Sequence, residues 1–343
     1  MPLYFLRAEL SNLAGKKEKY ISLSASLRAK ETKLLNAEKA ERMIDAPSFE
    51  DACKILSECG YGDMSGLNAC EINSAIQEHR KELFDSLELE VPDPELISVF
   101  RAKYDCHNAK TVLKAEATGA DPLPVMSPCG SISPAQFVYE YSEGRFSELP
   151  GKIGEVLENA KSVLSRTANP QLADFVLDKA YYAEIKETAE KLESSFLKGY
   201  AEILIDSANL RTAVRTVRMN KDREFLKTAL ISGGKTDEGR VLNASESGDA
   251  IAALYKSSYL EKAARLGADA MQGGTLTEFE SACDNAVTAY IKNTKLVPYG
   301  IEVPASYLAA CESEMTAAGM ILTGRLAGIG ADTLKERLRD FYA

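Results

Sequence analysis

Residues Ile205–Arg215 read IDSANLRTAVR, and echoes of this stretch stand about one domain length away on either side. Upstream, Asp105–Lys114 reads DCHNAKTVLK, so that Asp105, Asn108, Lys110, Thr111 and Lys114 correspond to Asp206, Asn209, Arg211, Thr212 and Arg215. Downstream, Glu314–Arg325 reads EMTAAGMILTGR, with Ala317 where the Asn would stand and Gly319 where the first basic residue would stand. The offsets are 101 residues from Asp105 to Asp206 and 108 from Asp206 to Glu314. These periods are too long for a solenoid repeat and suit a small domain. A second pair of stretches agrees: QLADFVLDKAYYAEI (Gln171–Ile185) and TEFESACDNAVTAYI (Thr277–Ile291), aligned on Asp178 and Asp284, give an offset of 106. Three tandem copies of one helical unit is the economical reading.

Composition is that of an ordinary globular protein, with 343 residues of which 45% are hydrophobic and 27% charged. Length alone suggests two or three domains. The excess of 51 acidic over 41 basic residues, net −10, argues against nucleic acid as a partner, because binding to phosphates needs matching positive charge. Seven cysteines without a CxxC pair suggest neither a disulfide framework nor a zinc site, and fit a reducing, cytoplasmic setting. The opening MPLYFLRAELSNLAGKK is interrupted by Arg7 and Glu9 before a leader core forms, and no apolar run reaches the length of a membrane span. Contact with a membrane is therefore expected through a partner only.

Helical spacing runs from Ile21 through Leu23, Leu27, Leu34 and Leu35 and predicts one long amphipathic helix, broken at Asp45 and Pro47. Ser48 and Ser133 are placed to cap helices, Pro94 suits a first turn, and Gly119 suits a stop. Asp121–Pro134 and Ser232–Gly248 read as linkers, and Gly267–Thr275 as a short loop. A small helix after Gly328, carrying Leu334 and Leu338, matches one after Gly130. No stretch reads convincingly as a strand. The expected fold is all-α, with three similar helical-bundle domains at 1–128, 129–238 and 239–343.

No catalytic constellation, metal-ligand set or cofactor motif emerges. Gly234, Lys235 and Thr236 resemble the end of a phosphate loop, but Ala229 stands where its first glycine is needed and a helix precedes it. His79 and His107 have no partner of metal-site or nucleophile spacing. Asp206 lies on the apolar face of Ile203, Leu210, Ala213, Val214 and Val217, with Asn209 at its edge. The copying of Asp and Asn at 105 and 108 favours a structural hydrogen-bonding role for Asp105, Asn108, Asp206 and Asn209 over a catalytic one. Arg211, Arg215 and Arg218 form a basic stripe, read as a solvated face or as a dock for an acidic partner.

The final stretch, with Glu312, Glu314 and ILTGRLAGIGADTLKERLRDFY, resembles the C-terminus of the C subunits of archaeal and bacterial V-type (A-type) rotary ATPases, relatives of the eukaryotic V-ATPase d subunit. Leu27–Gly62 looks like that family's first domain and Leu204–Arg215 like its middle one; Ala317 and Gly319 depart from its usual pattern. The resemblance implies a funnel of three helical domains about a pseudo-threefold axis. It further implies a non-catalytic rotor component that caps the membrane proteolipid ring, receives the other central-stalk subunits, and passes rotation to ATP-coupled proton or sodium transport. The competing readings are a helical adaptor unrelated to rotary motors and a phosphate-transfer enzyme using Lys235.

Overall fold

A computed structural model describes residues 17–343. Among these residues it contains sixteen α-helices, three short 3-10 helices and no β-strand, so the fold is all-α. The N-terminal leader reading falls on residues outside the described range. In chain order the helices are α1 (Ile21–Glu31), α2 (Ala37–Asp45), α3 (Phe49–Ser57), α4 (Ala69–Glu90), α5 (Glu95–Thr118), α6 (Pro134–Ser142), α7 (Ile153–Thr167) and α8 (Pro170–Lys191). They continue as α9 (Ser195–Arg218), α10 (Arg223–Ala229), α11 (Glu238–Ala244), α12 (Gly248–Leu254), α13 (Glu261–Met271), α14 (Leu276–Lys292), α15 (Glu302–Leu326) and α16 (Ala331–Arg337).

Side-chain caps set many of the starts. The first amides of a helix have no partner within it, and a short polar side chain just before the helix supplies one. Ser48 accepts from the Asp51 amide, Ser133 from Gln136 ahead of Pro134, and Ser194 from Leu197. Asn68 forms a reciprocal capping box with Glu71. The helix expected to run unbroken from Ile21 is two helices. Asn36 caps α2 by accepting from Lys39, and the chain turns between them so that both Leu34 and Leu35 are buried.

The described residues form two compact units, one of residues 17–96 with Thr288–Ala343 and one of Ile97–Val287. In the first, α15 packs against α1, α2, α3, α4 and α16. Enclosure on so many sides explains a sequence apolar all round, with Val303, Leu308, Ala310, Ala318, Ile321 and Leu322 buried on successive faces. Small residues let neighbours approach closely: a Cβ on Gly324 would collide with Leu334 of α16 at 2.6 Å.

The second unit holds α9 against α8, α10, α11 and α13. Its first half closes over a core of Phe137, Leu149, Ile153, Leu157, Ala173 and Leu177. Gly267–Met271, read from sequence as loop, is the end of α13; Gly267 sits against Val214 and Phe279, where a side chain would not fit. Ser232–Gly248 is likewise no linker, since α11 lies inside it and buries Val241 and Ala244.

Candidate functional site

The repeated polar residues hold loops. On α5, the Asp105 carboxylate accepts from the Ser131 amide at 2.8 Å and the Ser131 hydroxyl at 2.6 Å. One turn on, Asn108 grips a single residue from both sides: its Oδ1 accepts from the Ser127 amide at 2.8 Å and its Nδ2 donates to the Ser127 carbonyl at 3.0 Å. On α9 the arrangement recurs. Asp206 accepts from the Thr236 amide at 3.0 Å and from its hydroxyl at 3.3 Å. Asn209 accepts from the Ile231 amide and donates to the Ile231 carbonyl, both at 2.8 Å. Asn209 is fully buried, not at the edge of the apolar face.

Such clamps explain why two stretches composed like linkers are fixed. A loop folded back over a helix carries amides and carbonyls that the helix backbone cannot satisfy, and Asp and Asn supply the missing partners. Glycine permits the approach. A Cβ on Gly130 would lie 2.5 Å from Asp105 Oδ1, and one on Gly234 would collide with Asp206 Oδ1 and lie 3.1 Å from Ile205. Gly234 thus serves the clamp, and Lys235 beside it is exposed.

Burial raises the pKa of the clamping carboxyls. Asp105 is shifted up by desolvation, opposed by its Ser131 bonds and by the Arg101 charge. Asp206 is pushed up from 3.8 to about 6, again by desolvation against the Thr236 bonds.

The basic residues of the repeat cross to the next long helix. Lys110 pairs with Asp178 at 2.5 Å and Lys114 with Asp174 at 2.8 Å, tying α5 to α8. Arg211 pairs with Glu280 at 2.8 Å and with Asp284, and Arg215 pairs with Glu280 at 2.8 Å, tying α9 to α14. Arg218 donates to the carbonyls of Ala270, at 2.9 Å, and Gly274, at 3.2 Å. The two sequence echoes therefore touch each other: Asp178 and Asp284 are the partners of Lys110 and Arg211. Within the stripe, Arg211 and Arg215 meet carboxylates of the same chain, whereas Arg218 meets backbone carbonyls. Arg215, whose side chain is 56% exposed, and Arg218 are the exposed members of the stripe.

In the third copy the device is altered. Glu314 of α15 accepts from the Leu35 amide at 2.6 Å and from the Tyr61 hydroxyl at 2.8 Å, so the loop it holds comes from the other end of the sequence. Tyr61 in turn lies against the His79 ring, 4.4 Å between centroids. Gly319 faces Ile76 of α4, where the other copies have an ion pair. Arg80 of α4 and Glu312 of α15 pair nearby at 2.6 Å. Arg325 donates to the carbonyls of Ile44, Ala46 and Ser48, closing the turn between α2 and α3. Sequence reasoning missed Arg80, Arg101 and Arg325; an arginine on an otherwise apolar helix stretch was the available signal for Arg101. The two histidines take peripheral places, with His107 Nε2 2.9 Å from the Val125 carbonyl.

The polar repeats thus clamp loops and lock helix to helix. The family model of the ATP synthase (C/AC39) subunit matches residues 23–337, and the chain belongs to that family. Among its relatives, the C subunit of the V-type sodium ATPase of Enterococcus hirae is 22% identical over 334 residues, covering 94% of this chain and 99% of the relative. The C subunit of the A-type ATP synthase of Methanocaldococcus jannaschii is 23% identical over 345 residues, covering 93% and 86%. The C subunit of the V-type ATP synthase of Thermus thermophilus is 25% identical over 200 residues, covering 56% and 62%. No helix among the described residues is long and apolar enough to cross a membrane. Membership of this family sets aside the adaptor unrelated to rotary ATPases.

Proposed function

We propose that this chain is the non-catalytic central-stalk subunit of a V-type or A-type rotary ATPase. In this reading it sits at the cytoplasmic face, joins the ATP-handling part to the membrane proteolipid ring, and passes rotation between them for proton or sodium transport. The observation that carries the reading is the family match along nearly the whole chain. The clamps support it. A part that transmits torque must resist shear between its helices, and α5, α9 and α15 are each fastened by buried hydrogen bonds and charge pairs as well as by apolar packing. The repeat of these fastenings supports three similar domains, cut in sequence at 1–128, 129–238 and 239–343.

A three-domain cap on a ring of many identical subunits is a symmetry mismatch, so contact with the ring is spread over many residues of moderate effect. Tagged protein recovered from mildly solubilised membranes is expected to bring proteolipid and stalk subunits with it, identified by mass spectrometry. Recovery of soluble proteins alone would overturn the rotor role.

A further inference from the structure

The two full clamps differ in the sign of the charge one turn before the aspartate. Four residues before Asp105 stands Arg101; four residues before Asp206, at the same offset of 101, stands Glu202. One helical turn separates each pair, so both side chains lie on the clamp's side of the helix. Arg101 donates to the Gly130 carbonyl at 3.2 Å, inside the loop that Asp105 holds, and its charge favours the ionised Asp105. Glu202 puts a negative charge where Arg101 puts a positive one, and disfavours the ionised Asp206.

We infer that Asp206 is a proton-operated latch on the loop Leu230–Asp237, poised by Glu202, whereas the matching Asp105 has Arg101 in that place and is held in its ionised form. Ionised, the Asp206 carboxylate accepts both the amide and the hydroxyl of Thr236. Protonated, it keeps the amide bond at Oδ1, and Oδ2–H donates to the Thr236 hydroxyl, so the clamp survives with one bond reversed and without a buried charge. Acidification therefore tightens the loop. The other groups around the carboxylate do not change this. Lys235, on the loop, is exposed and opposes Glu202 with a smaller effect; Tyr255, the phenol facing from beyond α12, is shifted upward by burial and stays neutral; Lys186 of α8 lies against Gly233.

The linkage has a definite sign. Folded Asp206 keeps its proton up to about pH 6 against 3.8 for an ordinary aspartate. Its contribution to stability is thus complete below the lower value and is lost as pH rises through the higher one.

The test is carbon-detected NMR titration of the aspartate carboxyls in the full chain, with exchange of the Thr236 amide corrected for its intrinsic pH dependence. Wild-type Asp206 is expected to titrate at about 6, above Asp105, with Thr236 protection rising as the pH falls through that point. Glu202→Arg, which copies the first clamp, is expected to lower the Asp206 inflection by about one to three pH units. Glu202→Gln, which removes only the anion, is expected to lower it by less, and serves if the arginine variant fails to fold. Wild-type titration near the ordinary value, or an inflection unmoved by both variants, would overturn the proposal.

Discussion

Replacing Asn209 by alanine removes the most completely buried polar contact of the middle repeat. Both ends of the amide are used, Oδ1 on the Ile231 amide and Nδ2 on the Ile231 carbonyl, each at 2.8 Å, and Ile231 is itself buried. Alanine leaves two backbone groups away from water without partners. Each such group costs about 1–3 kcal/mol, so the pair is worth about 2–6 kcal/mol. The asparagine gives back part of this, because its own amide no longer needs desolvating and its side chain no longer needs ordering. A net loss of about 3 kcal/mol is expected, a large fraction of the roughly 5–15 kcal/mol typical of folded proteins. Urea denaturation followed by circular dichroism measures it, and exchange of the Ile231 amide locates it. Asn209→Asp should be at least as harmful, since a carboxylate cannot donate to the Ile231 carbonyl. A loss below about 0.5 kcal/mol with unaltered Ile231 exchange would refute the clamp as a source of stability.

Other changes follow from the same geometry. Gly234→Ala and Gly130→Ala are expected to cost about 1–3 kcal/mol in urea denaturation, because the new methyl displaces the clamping carboxylate, whereas Gly62→Ala, with nothing within 4 Å of its Cβ, leaves stability unchanged. Arg80→Met removes the 2.6 Å pairing with the mostly buried Glu312 and is expected to be destabilising, with part of the loss recovered when Glu312→Met is added, as a double-mutant cycle would show. Arg211→Ala is expected to destabilise more than Arg215→Ala, since Arg211 serves Glu280 and Asp284 from a 23% exposed position, and chemical denaturation of the two variants side by side measures the difference.

The helix starts at Ser48 and Ser133 were legible because a cap is a local device: one side chain, one amide two or three residues on, and a recognisable residue type. The repeat was legible because its polar residues keep their spacing along α5 and α9. The fate of the stretches Asp121–Pro134 and Ser232–Gly248 was not. Their glycines and polar side chains have the composition of solvated linkers, and only the facing Asp and Asn, some twenty to thirty residues away, show that the polarity is spent inside the protein. The carboxylate partners of the basic stripe were hidden for the same reason. Arg211 lies on one helix and its carboxylates on another about seventy residues later, a separation at which sequence carries no signal of contact.

The third copy shows what the clamp requires and what it does not. Its long helix has lost the Asn to Ala317 and the crossing cation to Gly319, yet it is the most enclosed helix of its unit. Where Lys110 and Arg211 reach a carboxylate, Gly319 lets α4 come close enough for Ile76 to fill the space, so an ion pair is replaced by apolar contact at the same place. Exchanges of this kind are close to neutral in stability when the volume is filled, which is why a repeat can lose them without losing its fold. The carboxylate is a different matter. Glu314 keeps the role of Asp105 and Asp206, and it does so for a loop nearly three hundred residues earlier in the chain. A buried amide in a turn must have an acceptor wherever the turn comes from, whereas a helix-to-helix contact needs only matching surfaces. The acid therefore stands in all three stretches, at Asp105, Asp206 and Glu314, as the part of the motif that backbone chemistry demands, while the basic residue varies with how closely the two helices approach.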